Sequence, residues 1–307
     1  MFNYIFKRTL GAIPTLLALI IISFLLMHAA PGGPFTMDKH PPPEVMANLN
    51  AKYGLDQPLL VQLWRYLTGI IFHFDFGPSF VYKDRTVNEI IAQGFPVTLA
   101  YGGWAFVFAV TIGVSLGIVA AIFQNTWLDY LAIGTTIGAS VLPNFVLGPI
   151  LILIFTRWLG WLPGGGWEGG DWRHMAMPII AMATAYMASI ARITRSSMLE
   201  VLTSNHIRTA RAKGLPSWKV ISRHALKPAL IPVLSYLGPV FVAMITGSVV
   251  VDMLFSTAGI GKFFVDSALN RDYAVMMGVT LLAGFLTIFF NLLVDVAYAW
   301  IDPKIRY

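Results

Sequence analysis

The 307-residue chain contains no cysteine, which excludes disulfides and thiolate metal sites. Charge is scarce. Only 12% of residues are charged, about half the share usual in soluble domains. Hydrophobic residues make up 57%, with a mean hydropathy of +0.70. This balance excludes an ordinary soluble domain and specifies an integral membrane protein. Acidic residues are missing altogether between Glu200 and Asp252. No GxxxxGK[ST] loop occurs; Gly259-Ile260-Gly261-Lys262 lacks the leading glycine and the hydroxyl residue. The chain therefore has no standard ATP site of its own. The histidines at 28, 40, 73, 174, 206 and 224 show no metal-ligand spacing on a common helix, so structural or solvated roles are expected for them.

Six apolar stretches stand out, at residues 9–30, 95–123, 131–159, 175–193, 231–255 and 274–300. Each is long enough for the roughly 20 residues that cross a bilayer core of about 30 Å. The expected class is an all-α integral membrane protein with six transmembrane helices. The first stretch is read as a retained span rather than a signal peptide, whose apolar region is only about 7–15 residues. Between the first two spans lies a long segment. It carries one short helix with Val45, Met46, Leu49 and Tyr53 on one face, closed by Gly54, and a second stripe of Leu59, Leu63, Leu67 and Ile70. Such stripes lie at the membrane interface or cap neighbouring helices, or meet a soluble partner. The division follows: residues 1–94 hold the first span and the long outer segment, and residues 95–307 hold a five-helix core.

Two GxxxG pairs, Gly113/Gly117 and Gly134/Gly138, allow close helix approach. The third span is interrupted at Pro143 and at Gly148-Pro149, as simple kinks or as the lining of a path. Residues 161–174, with three tryptophans and many glycines, read as an outer loop at headgroup level. Residues 256–273 read as another outer loop.

The distribution of basic residues orients the chain. Twelve lie on the segments assigned inside and nine outside, of which five fall in the long first loop, where the positive-inside rule is weakest. Both termini are expected in the cytoplasm.

The inner loop at residues 196–229 holds a basic island, with Arg208, Arg211, Lys213, Lys219, Arg223 and Lys227. Ser204 or Asn205 is a suitable N-cap, and Gly214 stands where a C′ glycine ends a helix. A second helical start has Pro216 in its first turn and Trp218, Ile221 and Ala225 on one face. Three readings compete: a solvated loop obeying the positive-inside rule, a site for anionic lipid or nucleic acid, and a docking element for a partner protein. Within the spans, Asp295 is the acid singled out. It shares a helix face with Asn291, Tyr298 and Asp302. It is either a proton relay or half of an interhelical polar contact, with Arg192 or Arg195 as the candidate partner.

The run Arg208-Thr209-Ala210-Arg211-Ala212-Lys213-Gly214-Leu215, followed by Arg223-His224-Ala225-Leu226-Lys227, resembles the cytoplasmic loop of ABC importer permeases. Ala210 and Gly214 match that family's Glu-Ala-Ala…Gly pattern, with Arg208 and Thr209 in place of the glutamate and first alanine. Further strings resemble the peptide/nickel branch, and its oligopeptide member in particular. They are Phe6-Lys7-Arg8, Ala30-Pro31-Gly32, Asp75-Phe76-Gly77-Pro78-Ser79-Phe80, Asn270-Arg271-Asp272-Tyr273 and Asp302-Pro303-Lys304-Ile305-Arg306. The resemblance implies a type I ABC importer permease fold in the bacterial inner membrane and inward peptide transport without enzymatic activity or cofactor in this chain. It implies as partners a homologous second permease, two ATPases, a periplasmic peptide-binding protein and membrane lipid, and no nucleic acid. Under it, Asn205, Ile207, Arg208, Thr209, Ala210, Arg211 and Gly214 form the ATPase-coupling element, with the bases at the rim of an ATPase cleft and Ile207 and Ala210 entering it. Ser235, Tyr236, Thr246 and Ser248 of the fifth span are the implied lining of the peptide path. A dipeptide or nickel permease is the alternative within the branch. An ion-coupled secondary transporter and a membrane scaffold are the alternatives outside it.

Overall fold

The computed structural model describes residues 2–29, 43–246 and 249–301. Their order is α1 (Phe2–Ala29), α2 (Pro43–Tyr53), α3 (Leu59–His73), α4 (Val87–Ile122), α5 (Trp127–Val141), α6 (Asn144–Leu151) and a π-helical segment (Ile152–Trp158). There follow α7 (Trp172–Leu202), α8 (Asn205–Ala212), α9 (Ser217–Lys219), a second π-helical segment (Val220–Ala225), α10 (Leu226–Ile245), α11 (Val249–Leu254), α12 (Ile260–Leu269) and α13 (Tyr273–Ile301). No strand occurs among the described residues; Pro78 and Thr86 form an isolated bridge.

Five helical runs are long and apolar enough to cross a membrane, and a sixth is so only as a broken pair. The break is at Pro143, where α5 and the run from Asn144 to Trp158 bend by 99°. Proline disfavours the α region for its predecessor; Leu142 is accordingly extended at φ −80, ψ 116, and Pro143 is the N-cap of α6. The third span, expected from the sequence to be interrupted at Pro143, is a pair of helices bent sharply at that proline. By contrast Pro96, in the first part of α4, and Pro149 are absorbed into helices. The second span begins at Val87 rather than near residue 95. The expected outer loop at 256–273 contains α12, whose Ile260 and Ser267 are buried.

The chain forms two compact units. Residues 1–98 and 258–307 make the first, and residues 99–257 the second. The sequence boundary at 94/95 falls within α4, and the first unit contains both α1 and α13.

In the first unit α1 packs along α13. The approach is close at Gly284, where a Cβ would stand 2.2 Å from Leu19. Gly54 at φ +68 ends α2 as expected. Of the α3 stripe, Leu63, Leu67 and Ile70 are half-buried, while Leu59, Leu60, Trp64 and Phe72 are exposed. The buried Asp272 joins two strings far apart in sequence. Its carboxylate accepts the Ser79 hydroxyl, the N–H groups of Phe80 and Val81 at 3.2 and 3.3 Å, and that of Val275 in the first turn of α13 at 3.3 Å. A cavity of about 510 Å³ lies beside this clasp, lined among others by Phe24, His28, Tyr53, Arg65, Tyr66 and Phe76. Burial pushes the Tyr66 phenol above its ordinary range, so it stays protonated at any working pH.

In the second unit α7 is the central helix. It packs on α5, α6, α10 and α11 and buries a run of small and flexible side chains from Met175 to Met198. Gly113 and Gly117 face it. A Cβ at Gly113 would lie 2.9 Å from Ile190, and one at Gly117 2.6 Å from the carbonyl oxygen of Ala191. Gly134 and Gly138 meet nothing within 4 Å. Residues 113–117 also spell GxSxG, but a nucleophile elbow needs a strand-to-helix turn. All five residues lie inside α4, so the pattern here is one of packing glycines.

Candidate functional site

The basic island is an elbow between α7 and α10. Ser204 sits at the N-cap of α8 in an extended conformation. Its hydroxyl donates back to the Val201 carbonyl at 2.5 Å rather than capping the helix. The Ser204 carbonyl accepts the first helical bond, from Arg208 N–H at 3.1 Å. The helix ends as its sequence predicts. Gly214 N–H donates to Arg211 O at 2.9 Å, Leu215 N–H donates to Ala210 O at 3.4 Å, and Gly214 takes φ +74. This is the Schellman arrangement, which needs a left-handed residue at C′.

The eight residues of α8 extend only about 12 Å at about 1.5 Å per residue. A helix of this length is marginal in water and needs a surface. The chain itself supplies one. Ile207 and Ala210 are buried in a cluster with Ala121, Met198, Val220, Ala225 and Ala229, against which Leu215 and Leu226 also pack. This corrects the expectation that Ile207 and Ala210 enter a partner's cleft: they face inward and fasten the helix. The free side presents Asn205, His206, Arg208, Thr209, Arg211, Lys213 and Gly214, all exposed.

Trp218 differs from expectation as well. It is 66% exposed, while Ala225 is fully buried and Ile221 half-buried. The cause is the π-helical segment. Buried positions run Val220, Ala225, Ala229, Val233, a step of five and then steps of four. One extra residue per turn at a π-bulge rotates Trp218 off the face that an uninterrupted α-helix gives it. Its ring lies 5.4 Å from Lys219 Nζ, so the exposed side carries an aromatic plate among bases.

Of the expected path residues, Ser235 and Thr246 are eleven positions apart on α10 and its end, about three turns on one face. Each hydroxyl donates to a backbone carbonyl four residues earlier, Ile231 O at 3.2 Å and Val242 O at 3.0 Å. Ser235 is exposed; Tyr236 and Thr246 are half-buried. Ser248 lies outside the described residues, as do Asp302 and the Asp295 side chain. Arg195 has a different partner from the one expected: Nε and Nη2 donate to Asp129 Oδ1 and Oδ2, both at 2.7 Å. Arg192 is exposed, with Nη2 3.4 Å from the Ser189 hydroxyl. A second acid within the spans escaped the sequence reading. Asp252 is fully buried in α11 and accepts hydrogen bonds from the Tyr101 and Thr257 hydroxyls. Its place in the apolar run 231–255 was the available signal.

Five helical runs long and apolar enough to cross a membrane, a sharply bent pair and a basic elbow seated on its own cluster fit a polytopic membrane protein. The chain belongs to the family of binding-protein-dependent transport system inner membrane components. That family's model matches residues 113–307, and the model of its N-terminal part matches residues 1–102. The oligopeptide transport system permease protein OppB of Salmonella typhimurium is 56% identical over 307 residues, all of both chains. OppB of Escherichia coli K12 has the same identity and coverage. The dipeptide transport system permease protein DppB of Bacillus subtilis is 42% identical over all of this chain and 98% of its own. Among solved structures, the inward-facing MetNI methionine ABC transporter matches with a TM-score of 0.60 at 17% identity. The match covers 70% of this chain and 97% of that one, and it shows a shared fold. The protein is an inner-membrane component.

Proposed function

We propose that this chain is the membrane-spanning permease subunit of an ATP-driven importer that carries oligopeptides into the cytoplasm. The observation that carries the reading is the 56% identity to OppB along the whole of both chains. The dipeptide relative, at 42%, supports the same branch less closely. In this reading the chain pairs with a homologous second permease, and peptide passes between the two along the α10 face that bears Ser235, Tyr236 and Thr246. Two ATPase subunits and a soluble peptide-binding protein complete the assembly, and both termini face the cytoplasm.

Coupling runs through the elbow. The exposed Arg208, Thr209, Arg211 and Lys213 of α8, and the exposed Trp218 of α9, meet the ATPase. Charges at such a rim set association rate and salt dependence more than affinity, and the tryptophan supplies a desolvated anchor. The buried Ile207 and Ala210 make α8 one body with the inner ends of α7 and α10. A push on the exposed face is then delivered to two spans at once.

The test is uptake into proteoliposomes containing this chain, its second permease, the ATPases and the binding protein. Oligopeptide should accumulate with ATP inside the compartment equivalent to cytoplasm and remain outside without it. Uptake of dipeptide or nickel alone reassigns the branch. Uptake driven by a proton gradient without ATP overturns the reading.

A further inference from the structure

The inner turn between α4 and α5 has so far no role. We infer that Arg195 and Asp129 form a strut that ties this turn to α7, so that displacement entering through α8 moves α5 together with α7. The inference rests on the transport reading above and adds a positioning pair to it.

The geometry is that of a fork. Both carboxylate oxygens of Asp129 are held at 2.7 Å by two nitrogens of one guanidinium. Such bidentate pairs fix direction as well as distance. The pair spans 66 residues of sequence, and the Asp129 side chain is only 5% exposed against 29% for Arg195. Asp129 Oδ2 also accepts the Asn125 N–H at 3.0 Å, in a turn where Asn125 stands at φ +61. One carboxylate therefore closes the turn, complements the N-terminal end of α5 and binds α7. Arg195 lies about two turns before α7 ends at Leu202, where the elbow begins. The elbow's cluster includes Met198 of α7 and Ala121 of α4, so the turn, the end of α7 and α8 are contiguous.

The far end of α5 is the 99° bend at Pro143. From the strut at Asp129 to that bend α5 runs without interruption to Val141, which makes it a lever with a fixed grip and a hinge. A nearly buried charge cannot cheaply lose its partner. The pair consequently acts as a permanent tie rather than a latch that opens in each cycle.

Tyr130 and Ser196 are exposed neighbours of the pair, and the chain has no cysteine of its own. Spin labels on Tyr130→Cys and Ser196→Cys, in the assembled complex in lipid, report the α5–α7 separation. The same distance distribution is expected without nucleotide and with trapped ATP. A shift between the two states overturns the strut. Arg195→Gln should broaden the distribution and lower peptide taken up per ATP hydrolysed by about 3- to 10-fold, with hydrolysis retained. That is the size typical of residues that carry coupling without touching either ligand. Arg195→Lys, which keeps the charge but not the fork, should fall between. If Arg195→Gln lowers uptake and hydrolysis in equal proportion, the pair is merely structural and the inference fails. If the unaltered complex takes up no oligopeptide with ATP, the transport reading fails instead, and the distance measurement alone decides whether α5 and α7 move as one.

Discussion

On α8 neighbouring residues have opposite surroundings. Ile207 is fully buried and Ala210 nearly so, whereas Arg208, Thr209 and Arg211 between and beside them are exposed. The small and apolar residues, which look from sequence like the ones shaped for a partner's cleft, are the ones that fasten the helix to α7, the π-helical segment and α10. What remains for a partner is charge, hydroxyl and, on the following element α9, Trp218. A short helix under load needs a firm seat before it needs a partner, and its best-packing side chains go to the seat. The contact face is then read from what the seat leaves over.

Breaking the seat should have the largest effect. Ile207→Ala removes a fully buried side chain and is expected to cost about 2–5 kcal/mol, with loss of protease-resistant protein as well as of uptake. Normal uptake and normal resistance would mean that Ile207 is not seated. Next comes Gly214→Leu. No atom lies within 4 Å of a Cβ built at Gly214, so the cost is the left-handed backbone alone, about 1–2 kcal/mol. The variant should insert at normal levels yet hydrolyse ATP without matching uptake; wild-type uptake per ATP would show that the end geometry does not matter.

Crosslinking sharpens the comparison without depending on stability. A cysteine at Arg211 should crosslink to the ATPase, and one at Ala210 should not. The reverse pattern would turn the helix over. The smallest effect is expected for Arg211→Gln, a single exposed charge of the kind worth less than about 1 kcal/mol. It should weaken ATPase association at low salt and become indistinguishable from wild type at high salt, where such charges are screened. Equal weakening at both would point to a buried contact instead.

Features that depend on length, hydropathy and local punctuation were readable in the sequence. The spans, the extent of α8 and the left-handed Gly214 are of this kind. Features that depend on a distant partner were not. Gly113/Gly117 and Gly134/Gly138 are the same pattern, yet the first receives α7 at close range and the second meets open space. GxxxG permits an approach without naming what approaches. Pro143 was visible as an interruption, but its 99° bend depends on how the two halves pack. The misplacement of Trp218 follows from a local register change that a strict 3.6 period cannot express. Arg195 was a candidate half of a polar pair, and the carboxylate it holds among the described residues, Asp129, comes from a turn 66 residues away that no local pattern links to it. The interhelical role expected of Asp295 falls on a side chain outside the described residues.

The Asp272 clasp has a consequence for how the protein is made. Ser79 leaves the ribosome 193 residues before the carboxylate that receives its hydroxyl, a delay of about 10–40 s at about 5–20 residues per second. Until then the amides of Phe80 and Val81 lack their buried acceptor and must remain hydrated. The segment before α4 therefore finishes folding only when α13 arrives, so a chain cut short before its last span carries an open outer segment as a mark of incompleteness. Placing the acceptor immediately before α13 lets the outer segment close only once the chain has reached the first turn of that helix.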